Sequence, residues 1–175
     1  MGLDQHAHLR GHKVNWEKYF DDDKEETEKV FVWRKHARLQ QFMSCKWAEQ
    51  NPKVEVEGFL KHLGFNADQE APCYMTKEVV QELGKCIKNG YKDYVATDGF
   101  FWGQQFQKES VEEYKEQDIK FLKFCEQAID EKKVVEYWCS WYCRKIKKQR
   151  RQLSPRLALA LVKLDRLNKI KLQQS

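Results

Sequence analysis

"VVEYWCSWYC", Val134 to Cys143, is the stretch whose reading decides the fold. Val135, Tyr137, Cys139 and Trp141 alternate with Val134, Glu136, Trp138 and Ser140. Successive side chains of a pleated chain point to opposite faces, so a period of two predicts a strand. Bulky residues at both sets of positions predict that each side of it is partly covered. The remaining signals are largely helical, and a strand among helices makes an α+β domain rather than a bundle.

Upstream, Ser110 and Glu113 have the Ser-x-x-Glu spacing of a capping box. They predict the helix "VEEYKEQDIKFLKFCEQAID", with Tyr114, Phe121, Leu122, Cys125 and Ile129 on one face. Before it, "VATDGFFWG" reads as extended, and before that Thr76 caps the helix "KEVVQELGKCIKNG", closed by Asn89 and Gly90. "APCYM" is a short extended piece, and "VEVEGFLKHLGFN", broken by Gly58 and Gly64, holds a turn of helix at most. Further back, "DDDKEETEKVFVWRKHARLQQFMSCKWAEQ" reads as one long helix capped by Asp22 or Asp23. Val32, His36, Leu39, Met43 and Trp47, widened by Phe42, form its apolar stripe, and Asn51-Pro52 ends it. The expected body is therefore a small antiparallel sheet of about three short strands packed by three helices. It spans 16–143, behind a flexible lead at 1–15 and ahead of a separate arm at 144–175.

Composition sets further bounds. With 6 Trp, 7 Tyr and 10 Phe in 175 residues, the chain can bury a core and is not a disordered segment. No apolar run approaches the roughly 20 residues needed to cross a bilayer, and "MGLDQHAHLRGHK" lacks an apolar signal core. Cytoplasmic residence is expected, with Cys45, Cys73, Cys86, Cys125, Cys139 and Cys143 reduced. The net charge of +5 is unevenly placed: residues 144–175 hold eleven Lys or Arg against Asp165 alone, a surplus of +10. Residues 1–143 must then carry −5.

In the arm, Arg144, Lys145, Lys147, Lys148, Arg150 and Arg151 fall within eight residues. Ser154 and Pro155 then start a helix with Leu157, Leu161, Leu164 and Leu167 on one face and Arg156, Lys163, Arg166 and Lys169 around the rest. Such a basic amphipathic helix docks as a solvated C-terminal helix, or sets its cations against a polyanion while the leucines meet the body, a partner or a second copy, or, ranked third because it lacks aromatic anchors, lies on a membrane surface.

The segments "FVWRKHARLQQF", "CYMTKEVVQEL", "GFFWG", "VEEYKEQDIKFLKFCEQAI" and "VEYWCSWY", in that order, resemble a family of small, largely uncharacterised proteins of tailed bacteriophages. The resemblance covers 30–142 and none of the arm. It places the family's recurring residues on Trp33, Arg34, Lys35, Tyr74, Gly99, Phe100, Phe101, Gly103, Tyr114, Asp118, Ile119, Ser140 and Trp141. This chain departs from the family's pattern at His36-Ala37, where Ala-Asn is frequent, and at Trp102, where Phe is usual. The resemblance implies a phage protein working in host cytoplasm and brings no assigned activity.

Two readings of "GFFWG" stand side by side. Phe101 packs under a helix while the glycines permit turns, or Phe100 and Trp102 form a stacking platform for a base or planar ligand. In the second reading Trp33, Arg34, Lys35, Asp118, Ser140 and Trp141 would complete a ligand pocket. Arg34 beside Asp118 reads first as a structural ion pair. His6, His8 and His12 fit no zinc spacing, and Cys139 and Cys143 lie far apart on one side of a strand, so no metal or cofactor is expected. Phosphate-binding, zinc-protease and serine-nucleophile motifs are absent from the sequence. The function expected is a non-enzymatic phage accessory protein binding nucleic acid, or a host nucleic-acid complex, through the arm. The alternatives are a nucleotide-like ligand binder or enzyme using the aromatic pocket, and a virion or assembly component.

Overall fold

The strand expected at the end of the body is present as Val135–Tyr142. The computed structural model describes residues 2–52, 54, 71–96 and 104–142, and Gly2–Trp141 form one compact unit. Four strands, β1 (Gly2–Leu9), β2 (Val30–Arg34), β3 (Cys73–Tyr74) and β4 (Val135–Tyr142), make an antiparallel sheet in the order β2-β1-β4-β3. The helices described are α1 (Trp16–Phe20), α2 (Lys24–Thr27), α3 (Ala37–Gln50), α4 (Lys77–Asn89) and α5 (Gln104–Asp130). The architecture is α+β.

Two expectations about the N-terminal third are corrected. Residues 2–9 are not a flexible lead but β1, a central strand. Its register pairs Gln5 with Trp33 and Ala7 with Phe31 on the core face, and Asp4 with Arg34 and His6 with Val32 on the other. The strand was hidden because one inward position is the fully buried, polar Gln5. The long helix expected from Asp21 to Gln50 is instead α2, β2 and α3. "VFVWR" is rich in the β-branched and aromatic residues that fit a pleated, half-buried surface. Lys35 then turns the chain at φ 60°, a left-handed conformation that no continuous helix contains. His36 caps α3, its Nδ1 accepting the Leu39 N–H at 3.3 Å.

The third correction concerns α5, which runs through Ser110 without a cap there; the Ser110 hydroxyl donates to the Phe106 carbonyl at 2.9 Å. The Thr76 cap of α4 and its closure at Gly90 (φ 67°) are as expected. The segments 55–70, 97–103 and 143–175 lie outside the described residues. These hold the glycine-flanked aromatics and the stretch expected to form a C-terminal helix.

The core lies between the sheet and α3, α4 and α5. Trp33 meets Phe121 edge-on at 5.0 Å, and Phe31 lies 5.2 and 5.1 Å from Phe121 and Phe124. Leu39, Phe42, Met43 and Leu83 fill the space around them, all fully buried. Each such side chain contributes about 1.5–3 kcal/mol by leaving water. Lys46 of α3 reaches Glu82 of α4 and Glu49, tying the two helices together at the core's edge. On the opposite face of the sheet His6, His8 and Trp138 stack, with Trp16 edge-on to His6 at 5.1 Å.

Candidate functional site

The polar centre of the domain is Asp118, on the buried side of α5 and 2% exposed. Trp33 Nε1 donates to its Oδ1 at 2.8 Å. Its Oδ2 accepts from the Tyr91 hydroxyl at 2.8 Å and faces His36 Nε2 at 3.0 Å. The His36 tautomer follows from the pattern of partners. Nδ1 accepts from Leu39 N–H, so the ring proton sits on Nε2 and is donated to Asp118. Three donors from β2, the start of α3 and the turn after α4 thus converge on one carboxyl group, which is how a buried carboxylate is kept satisfied. Burial first, and the adjacent Asp118 charge second, push the Tyr91 phenol well above its ordinary value, so it remains a donor.

A second polar chain runs from the same place through the sheet. Gln5 Oε1 accepts His36 N–H at 2.8 Å, and its Nε2 donates to the His36 carbonyl and the Tyr137 hydroxyl. Tyr137 donates onward to Gln40 Oε1 at 2.8 Å, and Gln40 Nε2 approaches Cys139 Sγ at 3.3 Å. Both ring nitrogens of His36 are engaged within the domain and its side chain is fully buried. The Asp118–His36 pair therefore orients three elements and offers no proton to a ligand.

Outside this centre lies a cleft of about 400 Å³ between the C-terminal end of α4, the start of α3 and the middle of α5. Arg38, Tyr91 and Asp118 line its buried part, and Lys88, Lys92, Lys108 and Lys115 its exposed part. Ile87 and Val111 supply apolar wall, and Glu112 pairs with Lys115 at 3.8 Å. Arg38 donates from its η1 nitrogen to the Gly90 carbonyl at 2.8 Å. What this arrangement can do is bind. Cys86, which precedes the lining residue Ile87 in the chain, has its thiol pushed up to about 11 by burial and is no nucleophile at neutral pH.

Of the five described residues expected to form one pocket, the structure joins two and sets three apart. Trp33 and Asp118 are joined, but Trp33 is fully buried against Phe31, Phe121 and Tyr137 and has no ring face open to a ligand. Arg34 lies on the outer face of the sheet with Asp4, at 3.8 Å, so the expected Arg34–Asp118 ion pair does not exist. Ser140 is buried on the side of β4 opposite Tyr137 and is likewise apart from Asp118. Lys35 serves as the turn between β2 and α3. Phe100, Trp102 and the arm residues Arg144, Lys145, Lys147, Lys148, Arg150, Arg151, Arg156, Lys163 and Arg166 lie outside the described residues, as does the side chain of Trp141.

The sequence reading missed His36, Tyr91, Gln5 and Gln40 as polar core, and Arg38 with its four lysines as a cluster. A signal for the latter exists. Lys108, Val111, Glu112, Lys115 and Asp118 follow the spacing of one helical face. Among the described residues no group of three or more His, Cys, Asp or Glu side chains is placed to hold a metal ion, and no helix is long and apolar enough to cross a membrane. No family model, curated protein or solved structure matches the chain.

Proposed function

We propose that the protein is a phage accessory protein, acting in host cytoplasm, that binds nucleic acid or a nucleic-acid-associated host complex through residues 144–175. The observation that carries this reading is the segregation of charge, +10 in those 32 residues against −5 in the rest. Six cations within 144–151 form the densest run of positive charge in the chain, and neutralising phosphates with such a run releases condensed counterions. The acids of the body count against binding over its whole surface. Asp21, Asp22, Glu25 and Glu28 are exposed around α1 and α2, and they would repel a phosphate backbone. The leucines of 157–167 would then dock on the body, a partner or a second copy of the chain.

The test is a pull-down from host lysate with the full chain, with and without nuclease. A parallel arm carries Arg144, Lys145, Lys147, Lys148, Arg150 and Arg151 replaced by Gln. Capture of nucleic acid by the wild type, lost in the six-fold variant, is the expected result. Equal capture by both proteins, or no nucleic acid in either eluate, would overturn the reading.

A further inference from the structure

Arg38 is only 8% exposed, yet it faces no carboxylate within ion-pair distance among the described residues. One N–H is donated to the Gly90 carbonyl, and its Nε finds no acceptor. A guanidinium carries five donors and a full charge, and a buried one without a counter-ion is costly. Arg38 also lines the 400 Å³ cleft, together with Lys88, Lys92, Lys108 and Lys115. Of the two acids there, Asp118 is occupied by Trp33, His36 and Tyr91, and Glu112 leans on Lys115. Five cations against two acids leave the cleft at +3 within a body that is negative overall.

From this geometry we propose that the cleft binds the phosphate group of a small phosphomonoester, with Arg38 as the fork that grips it. The planar guanidinium presents paired N–H donors matched to phosphate oxygens, and the lysines supply charge without fixing direction. Ile87 and Val111 give the organic part of the ester an apolar wall. The volume lies in the range of about 300–1,000 Å³ usual for small-molecule sites, which an inorganic phosphate alone would leave mostly empty.

One feature opposes an anion. The C-terminal end of α4 points its carbonyls toward this region, and a helix end carries about half a negative charge. Several of those carbonyls are occupied: Gly90 N–H donates to the carbonyl of Ile87, Tyr91 N–H to that of Cys86, and Arg38 covers that of Gly90. Half a charge, partly bonded, does not offset +3.

This site is separate from the arm, and its test keeps the two apart. The full-length chain is titrated with inorganic phosphate and with a nucleoside 5′-monophosphate, followed by amide ¹H–¹⁵N shifts. Saturable shifts are expected at Gly90, Tyr91 and Val111, with tighter binding of the ester. Arg38→Lys, which keeps the charge and loses the fork, should weaken binding roughly tenfold. Because Arg38 is buried, the exposed Lys92→Gln and Lys108→Gln pair provides a variant without a folding risk. Together they should weaken binding roughly tenfold as well, while Lys123→Gln on the same helix changes nothing. Shifts confined to 144–151, or unchanged affinity in the Lys92/Lys108 variant, would overturn the proposal and leave the arm's role untouched. Inorganic phosphate binding as tightly as the ester would overturn the seating of an organic group.

Discussion

Replacing Asp118 with Asn tests the polar centre of the domain with almost no change in shape. The amide oxygen can still accept from Trp33 Nε1, but an NH₂ group then takes the place of Oδ2, opposite the Tyr91 hydroxyl and His36 Nε2. The hydroxyl can rotate to accept. His36 cannot follow without moving its proton to Nδ1, where it would face the Leu39 N–H and destroy the cap of α3. One buried donor is stranded on either route, at about 1–3 kcal/mol, and the remaining bonds lose their charge assistance, about 1 kcal/mol more. The expected cost is therefore about 3 kcal/mol, a large share of the usual 5–15 kcal/mol of a domain. With a urea slope of about 2 kcal/mol/M, the midpoint should fall by about 1.5 M at constant slope. In a cycle with Tyr91→Phe the two costs should be non-additive by about 1 kcal/mol, since the residues share one bond. A midpoint within about 0.3 M of wild type would refute the idea that Asp118 holds β2, α3 and the turn after α4 together.

Two further outcomes follow from local geometry. Gly90→Ala should cost about 1 kcal/mol by thermal or urea unfolding, because φ 67° strains any residue with a Cβ. The nearest atom to that Cβ, Val111 Cγ1, is 3.9 Å away, so no steric cost is added; a neutral result would remove the left-handed cap from the account. Glu26 accepts from the Asn15 N–H at 2.8 Å, the main cause that holds its carboxyl below the usual range, and His12 Nε2 adds to it at 3.0 Å. A depressed folded value means that its stabilisation is complete above the unfolded pKa of about 4.3 and is lost as pH falls through the folded value. Wild type should lose stability in acid more steeply than Glu26→Gln, and parallel curves would contradict this.

The elements legible in the sequence were those whose local chemistry agreed with their tertiary setting. The alternation of Val135, Tyr137 and Cys139 matches a strand whose core-facing side is fully buried, and Thr76 and Gly90 act through bonds that span only a few residues. β1 was not legible because Gln5 is buried for partners 31 and 132 residues away, His36 and Tyr137. β2 was absorbed into a helical stripe because Val32 and His36 continue the rhythm of Leu39 and Met43 by coincidence. Only the turn at Lys35 divides them. Trp33, Asp118 and Ser140 were each singled out, but a sheet separates Ser140 from the other two, and a sequence does not show which face a residue takes before its strand is known. The cationic cleft was missed for a similar reason. Arg38, Lys88, Lys92, Lys108 and Lys115 come from three segments, and each lysine alone reads as a solvated surface charge.

The most direct test of the role given to 144–175 is the salt dependence of duplex DNA binding by the full chain. If six phosphates are neutralised, log affinity should fall against log salt with a slope of about −5, roughly a thousandfold loss between about 50 and about 200 mM. Replacing the six cations of 144–151 by Gln should flatten that slope toward zero. Affinity indifferent to salt, or a slope unchanged in the six-fold variant, would contradict the account.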